Sequence, residues 1–245
     1  MKKKNELICF IPARSGSKRL KNKNIKKIKD RPLVYWTFEK AIRSKIFDKI
    51  IFSTDSKNYF KKIINLLQLE KLPTKNIFFD FRSKKDSSSK KKIYDYIKNT
   101  LLDSSIINKK NDLIVQLLPT APLRSIKNIH DAIKISLNTK KNVFSVSEYD
   151  FHVSFAIKII NSKKWKPLFK KSPLLTGKTR SQDQIVYYKP NPVINCLWAK
   201  DIVKNKTIYS NAIPLITSKI QGHDIDNLED FKVAEIFLRN LDKLT

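Results

Sequence analysis

Five short apolar runs punctuate the first 150 residues of the chain: ELICFIPA (6–13), DKIIFST (48–54), NIFFDF (76–81), DLIVQLL (112–118) and NVFSVSE (142–148). Each is mostly continuous rather than alternating, the pattern of strands covered on both faces, as in a parallel sheet. Between them, PLVYWTFEKAIRS (32–44), NYFKKIINLLQL (58–69), SSKKKIYDYIKNTLLD (88–103) and IKNIHDAIKISLN (126–138) space apolar residues three to four apart, as one face of a helix requires. Pro32 suits a first helical turn and Ser125 an N-cap. Strand–helix alternation with right-handed crossovers predicts an α/β fold built on a doubly wound, mostly parallel sheet, in one domain over residues 1–245.

The rhythm changes between about 150 and 211. FHVSFAIKIINSKKWKPLF alternates like a hairpin, KKSPLLTGKTRSQDQ reads as a polar loop and PVINCLWAK as a strand, so the stretch is expected to form a small antiparallel excursion. IPLIT (213–217), a loop holding GHDIDNLEDF and an amphipathic helix near 228–241 close the chain. SKKDSSSKKK (83–92) is its low-complexity segment.

With 41% of 245 residues hydrophobic, the chain can bury a substantial core. Lys and Arg number 51 against 22 Asp and Glu, a net charge of +29. Such a field attracts nucleic acid, anionic membrane and acidic small molecules alike. Because the lysines are scattered along solvent faces rather than gathered in an Arg-rich block, they read as solvated surface. Trp36, Phe38, Tyr94 and Tyr96 fall in helical patterns where core packing explains them better than base stacking, so no specific nucleic-acid partner is expected. Cys9 and Cys196 sit in apolar strands and read as reduced, buried thiols of a cytoplasmic protein. The apolar run behind the basic start is about five residues, below a signal-peptide core, and no segment has the length to span a bilayer; export and membrane insertion are not expected.

Two stretches carry candidate chemistry. In IPARSGSKRLKNKN (11–24), Ser15-Gly16-Ser17 allows a tight turn whose N–H groups and hydroxyls can face an anion, and Arg14, Lys18, Lys23 and Asn24 add charge and donors. The segment lacks the Gly-Lys-Ser/Thr end of a P-loop and the spacing of the dinucleotide fingerprint, so composition leaves open a phosphate cradle or a solvated basic turn. In Asp224-Ile225-Asp226, carboxylates on alternate residues of an extended segment point the same way and can reach one hard divalent cation; equally, Asp226 or Asn227 can cap the last helix. Together, a cationic loop and a carboxylate pair are the two halves of a nucleotidyl-transfer site.

These stretches resemble the acylneuraminate cytidylyltransferase (CMP-sialic acid synthetase) family. The opening loop is similar to the family's IPARSGSKGLPNKN. FDKIIFSTD (47–55), Arg82 with the serines behind it, LPTAPLR (118–124) for QPTSPLR, VSEYDFH (146–152), RSQD (180–183), KPN (189–191) for RPNG and DIDNLEDF (224–231) for DIDTELDF follow in order across nearly the whole chain. The resemblance implies a Rossmann-like nucleotidyltransferase fold. It implies an Mg²⁺-dependent enzyme that transfers CMP from CTP to a nonulosonic (sialic-type) acid and releases pyrophosphate. It also implies a homodimer in which the excursion of one subunit covers the other's site.

Carried over by position, Arg14, Ser15, Gly16, Ser17, Lys23, Asn24, Arg82 and Ser88 or Ser89 would bind CTP. Arg180, Gln182, Lys189 and Asn191 would face the sugar acid, and Asp224 and Asp226 would hold Mg²⁺; Arg14, Lys23, Asp224 and Asp226 form the catalytic set. In-line attack by the anomeric hydroxyl needs no protein nucleophile, which leaves His152 and His223 as hydrogen-bonding neighbours. The sequence departs from the family at Leu118 (usually Gln), Lys189 (Arg) and Pro192 (Gly) on the acceptor side, and at Arg19 (Gly) and Lys21 (Pro) in the loop. The nucleotide half is kept more closely than the acceptor half, so legionaminic, pseudaminic and related acids stay open as acceptors. The alternatives are a nucleotidyltransferase of the same fold acting on a 3-deoxy-octulosonic acid or a sugar phosphate and, from another class, a basic nucleic-acid-binding protein.

Overall fold

The computed structural model describes residues 5–17, 19–88, 90–104, 106–107 and 111–240. In chain order its elements are β1 (Leu7–Pro12), β2 (Lys27–Ile28), β3 (Arg31–Pro32), α1 (Leu33–Arg43), β4 (Lys49–Thr54), α2 (Lys57–Leu69), β5 (Ile77–Phe81), α3 (Ile93–Asn99), β6 (Leu113–Gln116), α4 (Ile126–Thr139) and β7 (Asn142–Glu148). There follow β8 (Ile157–Asn161), β9 (Lys164–Pro167), α5 (Pro173–Thr176), β10 (Tyr188–Trp198), α6 (Ala199–Lys204), β11 (Ala212–Ile216) and α7 (Leu228–Arg239).

Seven strands form one sheet in the order β11-β7-β10-β6-β1-β4-β5. All pairings are parallel except those of β10, which runs antiparallel to both β6 and β7. Along β1, Cys9 and Ile11 turn to the layer of α1, α2 and α4, while Ile8 and Phe10 turn to that of α3 and α6. This period of two feeds both faces, which is why the strands read as unbroken apolar runs. The doubly wound, mostly parallel α/β expectation is met.

The excursion is smaller than the sequence reading drew it. Within this stretch, among the described residues, the β8–β9 hairpin alone forms a separate antiparallel sheet; the other small one, β2–β3, lies near the start of the chain. PVINCLW belongs to β10, whose Val193 to Trp198 are buried in the main sheet, and the following Ala199 and Lys200 open α6. The alternation signal cannot tell an antiparallel strand inserted in a parallel sheet from one in a free hairpin, since each local pattern is the same. The register of β10 against β7 shifts between Pro190 and Asn195. Pro192, which has no N–H to give a ladder, lies in that shift, where strand prolines are tolerated.

Two helices, α4 and α7, start on caps that the sequence anticipates, whereas Pro32 stands one residue before α1 rather than in its first turn. Ser125 accepts from the Asn128 N–H with a reciprocal bond back, and Asn227, one of the two expected candidates, does the same with Asp230 at the start of α7. SSKKKIYDYIKNTLLD yields a shorter helix than expected, α3, followed by a 3-10 turn at Leu101–Asp103. Cys9 and Cys196 are free and fully buried, with thiols pushed upward by burial. Among the described residues no helix is long and apolar enough to cross a membrane.

Candidate functional site

The chain leaves β1 toward β4 on one side and returns as β6 on the other, so β1 and β6 flank the switch point of the sheet. Ligands of open α/β sheets bind beyond the carboxyl ends of strands at such a point, because the loops diverge there and open a crevice. A cavity of about 470 Å³ lies there, walled by the loop after β1 (Pro12 to Asn24) and the loop after β6 (Leu118 to Thr120). Arg14, Arg19, Lys23, Arg82 and Lys91 line it, against the single carboxylate of Asp226. Five cations around one crevice make a strong anion site.

Backbone contacts fix the loop. Ala13 donates its N–H to Ser53 O, and the Ser15 N–H and hydroxyl both reach the Asp55 carboxylate, at 2.7 and 3.0 Å. The buried Asn24 returns its amide to Arg14 O (2.9 Å), closing the loop on itself. Arg14 is steadied by Ser87 O at 3.1 Å. Arg82, just after β5, is 4% exposed, lies over the Tyr96 ring and donates to Asp86 O at 2.5 Å, and its buried Nε meets no acceptor among the described residues. Burial pushes its guanidinium below the ordinary range, and Tyr96, Asp55 and Asp80 pull it back.

The Asp224-Ile225-Asp226 segment lies in the loop between β11 and α7. Ile225 is wholly buried and its N–H bonds Thr120 O (3.0 Å), so the flanking carboxylates face away from the core. Lys23 Nζ donates to Ile225 O (2.5 Å) and stands 3.9 Å from Asp226, which also pairs with Arg19. Burial lowers the Lys23 pKa, opposed by Asp224 and Asp226; partial desolvation raises that of Asp224, opposed by a Thr120 hydrogen bond.

Asp224 borders two further cavities, of about 480 and 470 Å³. Among the described residues no three His, Cys, Asp or Glu side chains gather for a metal. The carboxylate oxygens of Asp224 and Asp226 are of the kind a hard cation takes, and would leave most of its positions to other oxygen ligands.

Of the sequence-predicted residues, Arg14, Ser17, Lys23, Asn24, Arg82, Ser88 and Asp226 line the first cavity. Ser89 lies outside the described residues, as does Lys18. Ser15 is not brought to the cavity, because Asp55 takes both its donors. Gly16 is exposed, with open space where a side chain would stand and no left-handed backbone, so the turn does not need a glycine there.

Lys189 and Asn191 line the third cavity beside Asp224; Lys189 pairs with Asp150 (3.2 Å), and Asn191 bonds Thr217 and the Val193 N–H. Arg180 and Gln182 are not brought to any of these cavities. They sit exposed on a 3-10 turn with Arg180 beside Asp183. Of the two histidines, His223 borders the third cavity and is tied to Asp230 O (2.9 Å).

Sequence reasoning missed four participants. Asp55 anchors the loop, Thr120 the carboxylate segment, and Lys91 adds a cation. Arg124 is wholly buried and donates to Leu118 O, Val193 O, Pro192 O and Thr37 Oγ1, tying the loop after β6 to the irregular stretch of β10. The signal was present in FSTD and LPTAPLR, but a motif names its members without saying which of them point inward.

A family model described as cytidylyltransferase matches residues 8–187. The chain is 29% identical to the N-acylneuraminate cytidylyltransferase of Escherichia coli O18:K1:H7 over 94% of this chain and 52% of that protein, so it spans about half the length of that relative. It is 28% identical to the CMP-N,N'-diacetyllegionaminic acid synthase of Legionella pneumophila over 94% of each. Identity to the pseudaminic acid cytidylyltransferase of Campylobacter jejuni serotype O:23/36 is 27%, over 95% of this chain and 96% of that one. Among solved structures, a CMP:2-keto-3-deoxy-manno-octonic acid synthetase complexed with CTP aligns over 96% of this chain and 99% of its own with TM-score 0.64 at 12% identity, a likeness of fold.

Proposed function

The chain belongs to the cytidylyltransferase family, and from that premise we propose that it transfers CMP from CTP to the anomeric hydroxyl of a nonulosonic acid, releasing pyrophosphate. The observation that carries the reading is the crevice at the sheet's switch point, where five cations converge and the Asp224–Asp226 segment joins it to neighbouring cavities. An anion site that opens beside a second, less charged space suits a triphosphate with an acceptor next to it. The relatives of similar length are CMP-legionaminic and pseudaminic acid enzymes, which favours acceptors of this class.

In this reading Arg14, Arg19, Lys23 and Lys91 bind the triphosphate and offset charge on its phosphoryl oxygens as the α–β bridge breaks. Arg82 and Ser88 line the cytidine side. Asn24, by closing the loop on Arg14 O, keeps these cations in place before CTP arrives, so less ordering is required at the transition state. Asp224 and Asp226 would hold Mg²⁺, which when bound supplies further charge neutralisation at the phosphates. Arg19 must then leave Asp226 and turn to the phosphates. Asp224, at the border of the acceptor cavities, helps fix where the attacking hydroxyl lies.

The apolar hairpin and the distance of Arg180 and Gln182 from their own subunit's cavities support a homodimer in which these two residues serve the partner's acceptor site. The enzyme works in the cytoplasm, where CTP is available.

The test is pyrophosphate release from CTP and Mg²⁺ with N-acetylneuraminic, legionaminic, pseudaminic and 3-deoxy-octulosonic acids and a sugar 1-phosphate. Release with a nine-carbon acid and not with the others is expected. Release only with the eight-carbon acid or the sugar phosphate, or none at all while CTP binds, would overturn the acceptor assignment.

A further inference from the structure

The second cavity is lined by α3, the loop before β11, and the ends of β6 and β10. Its floor carries an anomaly. On that face of the sheet β6 and β10 otherwise present Ile114 and Leu197, part of the apolar cluster with Tyr96, Ile97 and Ile202. Gln116 and Asn195 follow the same alternation onto the same face, directly opposite each other across the ladder. Both are buried, at 3% and 8% exposure.

The Asn195 amide donates to Gln116 Oε1 at 3.2 Å, but Gln116 Nε2 finds no acceptor among the described residues. A buried amide donor left unpaired is costly, and an apolar side chain of similar size would remove that cost. A pair kept only for packing would satisfy itself. Gln116 lines the cavity, and its unpaired N–H is covered from solvent, so a ligand seated against this side chain can bring the acceptor it lacks.

The surroundings narrow that ligand's chemistry. Ile93, Tyr94, Leu118 and Ile208 supply apolar walls. The charged residues of the lining are Lys92 and Lys206, both exposed, and the carboxylates Asp95 and Asp224. A carboxylate would meet no buried cation at the floor, and a bare hydroxyl would leave the apolar wall unfilled. An amide carbonyl with a short alkyl tail satisfies both. Leu118 stands in the wall shared with the anion cavity, two residues beyond Gln116. The side-chain amide the family pattern places there is thus available one pleat earlier along the chain.

Resting on the reading of the neighbouring cavity as the nucleotide site, we propose that Gln116 determines acceptor specificity, its Nε2–H donating to the carbonyl of an N-acyl substituent seated in the second cavity.

The test compares an N-acylated nonulosonic acid with its deaminated counterpart, which carries a hydroxyl in place of the acylamino group. Gln116→Leu is expected to raise the acceptor KM for the N-acyl compound about tenfold more than for the deaminated one, ~1.4 kcal/mol of discrimination, with the KM for CTP unmoved. Gln116→Met serves if the leucine variant fails to fold. Saturation-transfer NMR on the unaltered enzyme with CTP reads the same point without mutation, and should show the acyl methyl as the most strongly saturated group. Equal losses for both acceptors, no loss for either, or weak saturation of the acyl methyl would overturn the assignment while leaving nucleotidyl transfer intact. Absence of turnover with every acceptor in the unaltered enzyme would instead sink the transfer reading, and this inference with it.

Discussion

Asp226 meets Arg19 and Lys23 on one side and, through its N–H, the Asp230 carboxylate on the other. Its backbone therefore belongs to the α7 cap and its side chain to the crevice. Asp226→Ala removes only the second role, so it should abolish Mg²⁺-dependent pyrophosphate release while thermal unfolding shifts by no more than a degree or two. A variant with near-normal turnover would show the metal lies elsewhere. Arg124 presents the opposite case. It lines none of the three cavities, yet its guanidinium holds carbonyls of the β6 loop and of β10 that border the acceptor side. Arg124→Met keeps much of the volume but leaves Leu118 O and Val193 O without their donor, each worth about 1–3 kcal/mol when buried and unmet. The expected result, by chemical denaturation, is a loss on the order of 3 kcal/mol, with acceptor KM rising more than CTP KM.

At the scale of elements, local rules and long-range ones separate. Strands β1, β4, β6 and β7 were legible because burial on both faces makes apolar runs, and the edge strands β5 and β11, only partly buried, because their own runs are apolar too. The starts of α4 and α7 were legible because a cap is written in adjacent residues. Removing the Ser125 or the Asn227 side-chain acceptor by alanine should cost about 1 kcal/mol each, a drop in melting temperature of roughly 2–4 °C for a chain of this size. Near-additivity in the double variant is expected, since the caps are on different helices. The position of β10 was not legible. Its sequence specifies a strand, but its place between β6 and β7 depends on partners forty or more residues away, which periodicity does not encode. The candidate site divides the same way. The cationic loop and the carboxylate pair are contiguous motifs and were found, whereas Asp55, Thr120 and Gln116 act through contacts that only the fold creates.

For the whole molecule, the uneven distribution of exposed apolar surface is the feature that the single chain leaves unexplained. Phe151, Ile157, Ile159, Ile160, Trp165, Leu168, Leu175 and Ile185 are all large, all exposed and all within the segment that leaves the main sheet. A highly charged protein with net +29 has ample polar side chains to cover such a surface, so a concentrated apolar segment points to a covering partner. The charge also sets a condition on that partner. Two like-charged copies repel at long range, so their association needs contact energy from burial, and salt, which screens repulsion, should strengthen it. Light scattering is expected to give a dimer near twice 28.6 kDa whose dissociation falls as ionic strength rises. Replacing Ile159 and Trp165 by aspartate together should shift the mass to the monomer. Because Arg180 and Gln182 would then lose their place over the partner's site, acceptor KM should rise several-fold while CTP binding holds. A monomeric native enzyme with full activity, or a monomeric variant with unchanged acceptor KM, would confine the acceptor site to residues of one chain.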